Sequence, residues 1–444
     1  MPQWLGEAPD GSEISAGSPF PPGPSLVKIP PDFMIHEPTL EPATAVRPPR
    51  IVRGDVGVSN GHFSLGQDLP LRCWVEIDLA AARHNAELAR RRSGAELLVV
   101  VKANAYGHGA LEVAETVGDQ AALFGVANLY EGLELKAAGV KAPVLLLSGC
   151  LPEELETVVK EEFHVCISTL EEAEALNRMG ERQGRQAHVH VALDTGMGRL
   201  GFLAEAWNAE IVRTLAAHRF IRWEGLASHF PVSDEDATFT RQQIENFRRA
   251  VDLARAHGLR PRWIHLSNSA GILGFDAETR SLCNLARPGL MLYGVNPLGS
   301  EDRQEGPALR PVLTWKTRVT MVRELPPGHG VSYGRSFITP RNTLVATLAC
   351  GYADGYPRQA SGHGASVLIQ GKRCPLLGRV TMDQIMVDAT DLPRPAAPGD
   401  EAILLGTSDE ETIDAVELAN QASTIAWDIF TGISGRVARV YGKA

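Results

Sequence analysis

No run of about 18 apolar residues occurs in this 444-residue chain, so no helix of it is expected to span a bilayer. Basic charge is short as well. Forty-three Lys+Arg against 53 Asp+Glu leave a formal net charge of −10, which argues against nucleic acid or an anionic membrane surface as partner. Cysteine is sparse: Cys73, Cys150, Cys166, Cys283, Cys350 and Cys374 lie far apart and never at CxxC spacing. Such cysteines read as reduced, mostly buried thiols, a cytoplasmic signature. The first 31 residues have neither the basic segment nor the apolar core of a secretory signal. His265 and His329 stand at no metal-ligand spacing, and no metal is implied.

What is abundant is unevenly placed. Thirteen of the 29 prolines fall in residues 1–70, which also carry eight acidic and four basic residues and few periodic apolar positions. The run Pro19-Phe-Pro-Pro-Gly-Pro24 cannot continue a helix. Residues 1–70 are therefore expected to form a disordered, Pro-rich leader, dispensable for any chemistry downstream. Beyond Pro70, short apolar runs at 97–101, 124–127, 143–147, 164–168, 188–193, 223–227, 263–266 and 284–286 alternate with segments of helical period. Thr169 with Glu172 makes a capping box at one helix start. Eight βα units close most simply into a (β/α)₈ TIM-type barrel over residues 71–300, with a doubly wound open sheet as the rival. From Pro311 the period becomes that of strands, with a tight hairpin at Gln370-Gly371. The chain is thus expected to be α/β, an N-terminal barrel followed by a mainly β C-terminal domain over 301–444. A strand near 72–79 is expected to pair with that second domain.

In such barrels the active face lies at the strand C-termini. Lys102 directly follows Leu98-Val-Val-Val101, and a charge at the end of so apolar a strand is costly unless it is used or partnered. A desolvated lysine suits Schiff-base chemistry. The other strand ends supply Asp194 through Arg199, Ser228-His229, Ser267-Asn-Ser269 and Arg287-Pro-Gly289. Alone, His229 reads as a structural histidine, Arg199 or Arg287 as an ion-pair partner and Ser269 as a helix cap. Together they gather cations and a hydroxyl where loops seven and eight commonly hold phosphate. A lysine for an aldehyde opposite a phosphate cradle implies pyridoxal phosphate.

The motifs Val101-Lys-Ala-Asn-Ala-Tyr-Gly-His-Gly109, Leu193-Asp-Thr-Gly-Met-Gly-Arg-Leu-Gly201, Arg287-Pro-Gly-Leu-Met-Leu-Tyr-Gly294, Val331-Ser-Tyr-Gly334, Gly351-Tyr-Ala-Asp-Gly355 and Gly378-Arg-Val-Thr-Met-Asp-Gln384 together resemble the alanine racemase family, from about Trp74 to Tyr441. That resemblance implies pyridoxal 5′-phosphate as cofactor, alanine as substrate, D-alanine for bacterial peptidoglycan as product, and a homodimer with composite active sites. It implies Lys102 and Tyr333 as the two acid/base groups, with Tyr333 coming from the second subunit. It places Arg287 at the pyridine nitrogen and makes His229 a link between Arg287 and Tyr333. Tyr106, Ser269, Gly289 and Leu290 would hold phosphate. Arg199 would meet the cofactor's phenolic oxygen and the substrate carboxylate, with the Met382 backbone assisting across the dimer.

Three positions depart from the family pattern. Ala192 stands where many members have a carbamylated lysine that orients the arginine, Gly435 where some place a tyrosine, and Thr381 where cysteine is common. The first two open the alternative of a broader alanine/serine racemase. A decarboxylase of the same architecture is a further rival, but it pairs the pyridine nitrogen with a carboxylate and carries a Gly-Gly-Gly phosphate loop, which this chain lacks. A non-catalytic cofactor carrier would resemble the barrel alone.

Overall fold

The structure, a computed structural model, describes residues 50–51, 70–298 and 308–442. The expected leader, residues 1–70, lies outside these apart from Arg50, Ile51 and Pro70, as do residues 299–307, where the barrel is expected to give way to the second domain.

Eight parallel strands form the barrel: Glu96–Val100, Ala121–Val126, Val144–Leu146, His164–Ile167, Ala187–Asp194, Ile221–Ala227, Trp263–His265 and Leu285–Ala286. Each pairs with its sequence neighbour, Leu285–Ala286 pairs back onto Glu96–Val100, and the ring is closed. Closure leaves no exposed edge and buries both faces of each strand, which is why the strands read as continuous apolar runs. The first of them is buried from Leu97 through Val100.

The intervening helices begin where short polar side chains can accept the orphan N–H groups of a first turn. Asp78, Asn128, Thr169, Asn208, Asp236 and Asn268 all do so. Thr169 and Glu172 complete the expected capping box. The helix Leu79–Ser93 ends on Gly94 at φ 63°, with Arg90, Arg91 and Arg92 in its last turn, where cations complement the dipole.

The strand Cys73–Ile77 precedes the barrel but belongs to a different sheet. It lies between Ala438–Tyr441, in parallel, and Leu313–Leu325, antiparallel. Leu313–Leu325 is the spine of the second domain: its first half pairs with Glu401–Ser408 and its second half with Thr343–Leu348, across an irregularity between Val319 and Met321. The hairpin Ser366–Ile369/Lys372–Pro375 turns on Gln370 and Gly371, both at positive φ, the geometry a two-residue hairpin loop favours. Sequence periodicity did not mark the helix Ala426–Gly432 or the small hairpin Gly330–Val331/Phe337–Ile338.

Candidate active site

The segment after the first barrel strand is not an ordinary loop. Lys102–Tyr106 is one turn of left-handed helix: Ala103, Asn104, Ala105 and Tyr106 have φ between 51° and 53°. For L-residues this conformation costs on the order of 1–2 kcal/mol each, so the surroundings must impose it. Part of the holding is visible. The Glu131 carboxylate accepts the Ala103 N–H (2.8 Å) and the Ala127 N–H (2.7 Å), and the Asn104 side chain accepts from Ala110 N–H (2.8 Å). The turn leaves Lys102 at the barrel mouth and buries Tyr106. Burial lowers the pKa of the Lys102 ammonium, and the Arg199 cation lowers it further against the pull of Glu131.

A cavity of about 720 Å³ opens at the strand C-termini. Lys102, Tyr106, Arg199, His229, Ser269, Arg287, Gly289 and Leu290 all line it, and from the second domain so do Ile425, Trp427 and Thr431. Arg287 is buried and donates from Nη2 to the carbonyls of Ser228 (2.6 Å) and Leu266 (2.9 Å) and to His229 Nδ1 (3.0 Å). Its Nη1 faces His265 Nδ1 at 2.8 Å. All four partners are uncharged acceptors, and burial lowers the guanidinium to about 10. It stays a cation at neutral pH. His229 is pushed down to about 3 by burial and by the charges of Arg287, Arg199 and Lys102, so it is a neutral imidazole. With Nδ1 accepting from Arg287, its proton sits on Nε2.

Opposite, the Ser269 hydroxyl accepts from the N–H groups of Gly289 (3.1 Å) and Met291 (3.2 Å), leaving its own O–H to donate. A Cβ on Gly289 would stand 2.7 Å from the Tyr106 hydroxyl, so only glycine admits that phenol here. Arg199 rides on a loop built by Asp194, whose carboxylate takes the N–H groups of Gly196, Met197 and Gly198, each at 2.8 Å. Arg199 itself is exposed, Ala192 supplies no anion beside it, and it forms no ion pair among the described residues.

Tyr333 and Met382 do not line this cavity. They are 70% and 53% exposed and lie on the second domain. Their loops are joined there: Ser332 Oγ donates to the Arg379 carbonyl (2.5 Å), and a Cβ on Gly378 would meet the Val331 carbonyl at 2.7 Å. Gly351 packs on Thr381 and Met382, whose carbonyls would be 2.3 and 2.4 Å from a Cβ there. Gly435 has open space around it and is not part of the cavity lining.

Sequence reading missed Glu131, which sits unremarkably in a helix, and Trp427, whose approach depends on how the second domain docks. One group of three side chains among the described residues could ligate a metal: His164, His188 and Glu224. It lies toward the strand N-termini, away from the cavity, and Glu224 already has His188 Nδ1 and Arg222 Nε at 2.8 Å each.

A closed barrel with a half-buried lysine at strand one, a buried arginine at strand eight and a capping β domain defines a barrel-plus-β enzyme of amine chemistry. The alanine racemase N-terminal domain family model matches residues 77–297, and its C-terminal domain model matches 312–441. The chain is 43% identical over 372 residues to the alanine racemase of Symbiobacterium thermophilum, covering 83% of this chain and 97% of the relative. To that of Carboxydothermus hydrogenoformans it is 42% identical, over 83% and 99%. Among solved structures it resembles the alanine racemase of Streptomyces lavendulae, with a TM-score of 0.78 and 36% identity over 85% of this chain and 98% of that one. It also resembles the Bacillus anthracis alanine racemase with bound L-Ala-P, with a TM-score of 0.75 and 32% identity over 85% and 96%. This chain belongs to the alanine racemase family.

Proposed function

We propose that the chain interconverts L- and D-alanine with pyridoxal 5′-phosphate, in the cytoplasm, as a homodimer that supplies D-alanine for peptidoglycan. The observation that carries this reading is one cavity uniting Lys102, Arg199, Arg287 and His229 with the Ser269–Gly289 cradle. Nothing in the site favours a broader substrate range over alanine.

The residues present fit the cofactor. Lys102 offers an amine whose lowered pKa makes it nucleophilic. Ser269 and Tyr106 carry hydroxyls beside the Gly289–Leu290 backbone, where a phosphate would be held, and Arg287, a buried cation with only uncharged partners, would face the pyridine nitrogen. When bound, the cofactor supplies an electron sink for the charge left on the substrate α-carbon. A guanidinium keeps its proton, so the ring stays a weaker sink than a protonated pyridine would be, which suits proton exchange over bond cleavage elsewhere.

Inverting a centre requires a proton to leave one face and return on the other. Lys102 serves one face and Tyr333 of the partner subunit the other, each worth on the order of 10²–10⁴-fold. The Nε2–H of His229 would bond that phenol, Arg199 would hold the substrate carboxylate, and the Met382 backbone N–H of the partner subunit would assist. The exposure of Tyr333 supports this reading: an acid/base phenol standing in solvent needs a second subunit to close over it.

The test is D-alanine formation by purified holoenzyme. Tyr333→Phe is expected to lose racemisation by about 10²-fold or more while keeping the cofactor's absorbance. Normal turnover by that variant overturns the two-base assignment. Mixing inactive Tyr333→Phe and Lys102→Ala dimers should restore activity, because one site of each mixed dimer is intact. Failure to do so removes the composite site.

A further inference from the structure

Arg287 does not end in His265. From His265 Nε2 the contacts continue to His190 Nδ1 at 2.9 Å, and from His190 Nε2 to His164 Nδ1 at 3.0 Å. All three rings are buried, at 1%, 0% and 5% exposure. The row runs through the barrel interior from the active face toward the strand N-termini. There His164 stacks on His188, with centroids 4.9 Å apart and planes at 11°, and His188 bonds Glu224.

The chemistry gives this row one direction. Arg287 can only donate, so His265 Nδ1 must accept and the His265 proton sits on Nε2. His190 then accepts at Nδ1 and donates from Nε2, and His164 accepts at Nδ1 in turn. Reversing any link sets two N–H groups against each other somewhere along the row. Protonating any ring does the same. Burial pushes His164 down to about 4 and holds His190 and His265 well below 6.5, in keeping with three neutral imidazoles.

The backbone also makes room for the row. A Cβ on Gly225, in the sixth barrel strand, would stand 1.9 Å from His190 Nδ1. Gly225 has no positive φ to explain it, so its missing side chain is space for the His190 ring.

We propose that His190 and His164 are positioning residues: a directional hydrogen-bond row, His164–His190–His265, anchors the Nε2–H of His265 and so holds the ring that aims the Arg287 guanidinium into the cavity. A core histidine that merely fills volume would need no partner on each of its ring nitrogens, as His190 has. The inference rests on the proposed placement of Arg287 at the cofactor.

The experiment compares His190→Phe, which keeps volume and removes both links, with His190→Gln, whose amide accepts and donates in the same sense. Read on the holoenzyme are kcat, KM, the absorbance spectrum of bound pyridoxal phosphate and its retention on dialysis. His190→Phe should lower kcat about tenfold, the low end for outer-shell partners, with KM little changed, a shifted cofactor spectrum and faster cofactor loss. His190→Gln should recover most of each. Gly225→Ala, which removes no polar atom, should reproduce the His190→Phe signature by displacing the ring. If His190→Phe does not fold, His164→Leu against His164→Gln, at the end of the row, makes the same comparison. Equal impairment in the apolar and amide variants, or an unchanged spectrum and kcat in the apolar one, overturns the row. A wild-type chain that binds cofactor without racemising refutes the function instead, and leaves the spectral comparison standing.

Discussion

Single residues decide whether the cavity can seat its ligands. Lys102 was legible because a cation at the end of four apolar residues asks for a use, and the structure gives it partial burial and a lowered pKa. Gly289 was legible only as part of a motif. Its reason is steric, and it appears once Tyr106 is seen across from it, with 2.7 Å between a would-be Cβ and the phenol oxygen. Tyr106 is buried and lines the cavity, so Gly289→Ala should push its hydroxyl from the place it holds and weaken cofactor binding by about tenfold, a loss of ~1.4 kcal/mol. Gly435→Ala, with nothing within 4 Å of its Cβ, should leave binding unchanged. Titration of the cofactor into both apo variants, followed by absorbance, checks the pair. Equal affinities would show that Tyr106 adjusts without cost.

At the scale of elements, the eight barrel strands stood out because closure buries both faces of each and writes an apolar run into the sequence. The left-handed turn Lys102–Tyr106 did not, because nothing in Ala-Asn-Ala demands positive φ and the conformation is imposed from outside. Glu131 is part of that imposition, accepting N–H groups from the turn and from the end of the second strand. Glu131→Ala leaves both donors to water, one exposed and one part-buried, at about 0.5–1.5 kcal/mol each. The variant should therefore melt at a lower temperature and lose kcat more than it raises KM, since the turn aims Lys102. Calorimetry and steady-state kinetics on one preparation separate the two effects, and a variant that loses stability alone would make Glu131 a structural ligand only. The histidine row was invisible for a related reason. His164, His190 and His265 lie on three different strands, and only the register that sets His164 beside His188 and Cys166 beside His190 brings their rings into line.

Across the whole molecule, the same burial that keeps these imidazoles neutral makes the fold sensitive to acid. His108 and His164 are held near 4 and His229 near 3, with burial the leading cause each time, and His190 and His265 well below 6.5. Each folded-state value lies below the ordinary 6.5, so beneath that pH the unfolded chain takes up protons that the folded one refuses. These groups cost nothing above pH 6.5. As pH falls from there, each removes stability at a rate approaching about 1.4 kcal/mol per pH unit until its folded value is reached. The carboxylates with lowered values act in a different window: Asp119 and Asp391 start from 3.8 and Glu161 and Glu224 from 4.5, so their ion pairs fail only at lower pH. Urea midpoints of the holoenzyme, stepped from about pH 7.5 down to about pH 5, should hold level and then fall steeply below 6.5, with net proton uptake on unfolding rising in parallel. Removing one ring of the row, as in His190→Gln, should make that fall shallower by one group. A midpoint that stays level until pH 4.5 would assign acid lability to the surface ion pairs and take it away from the barrel interior.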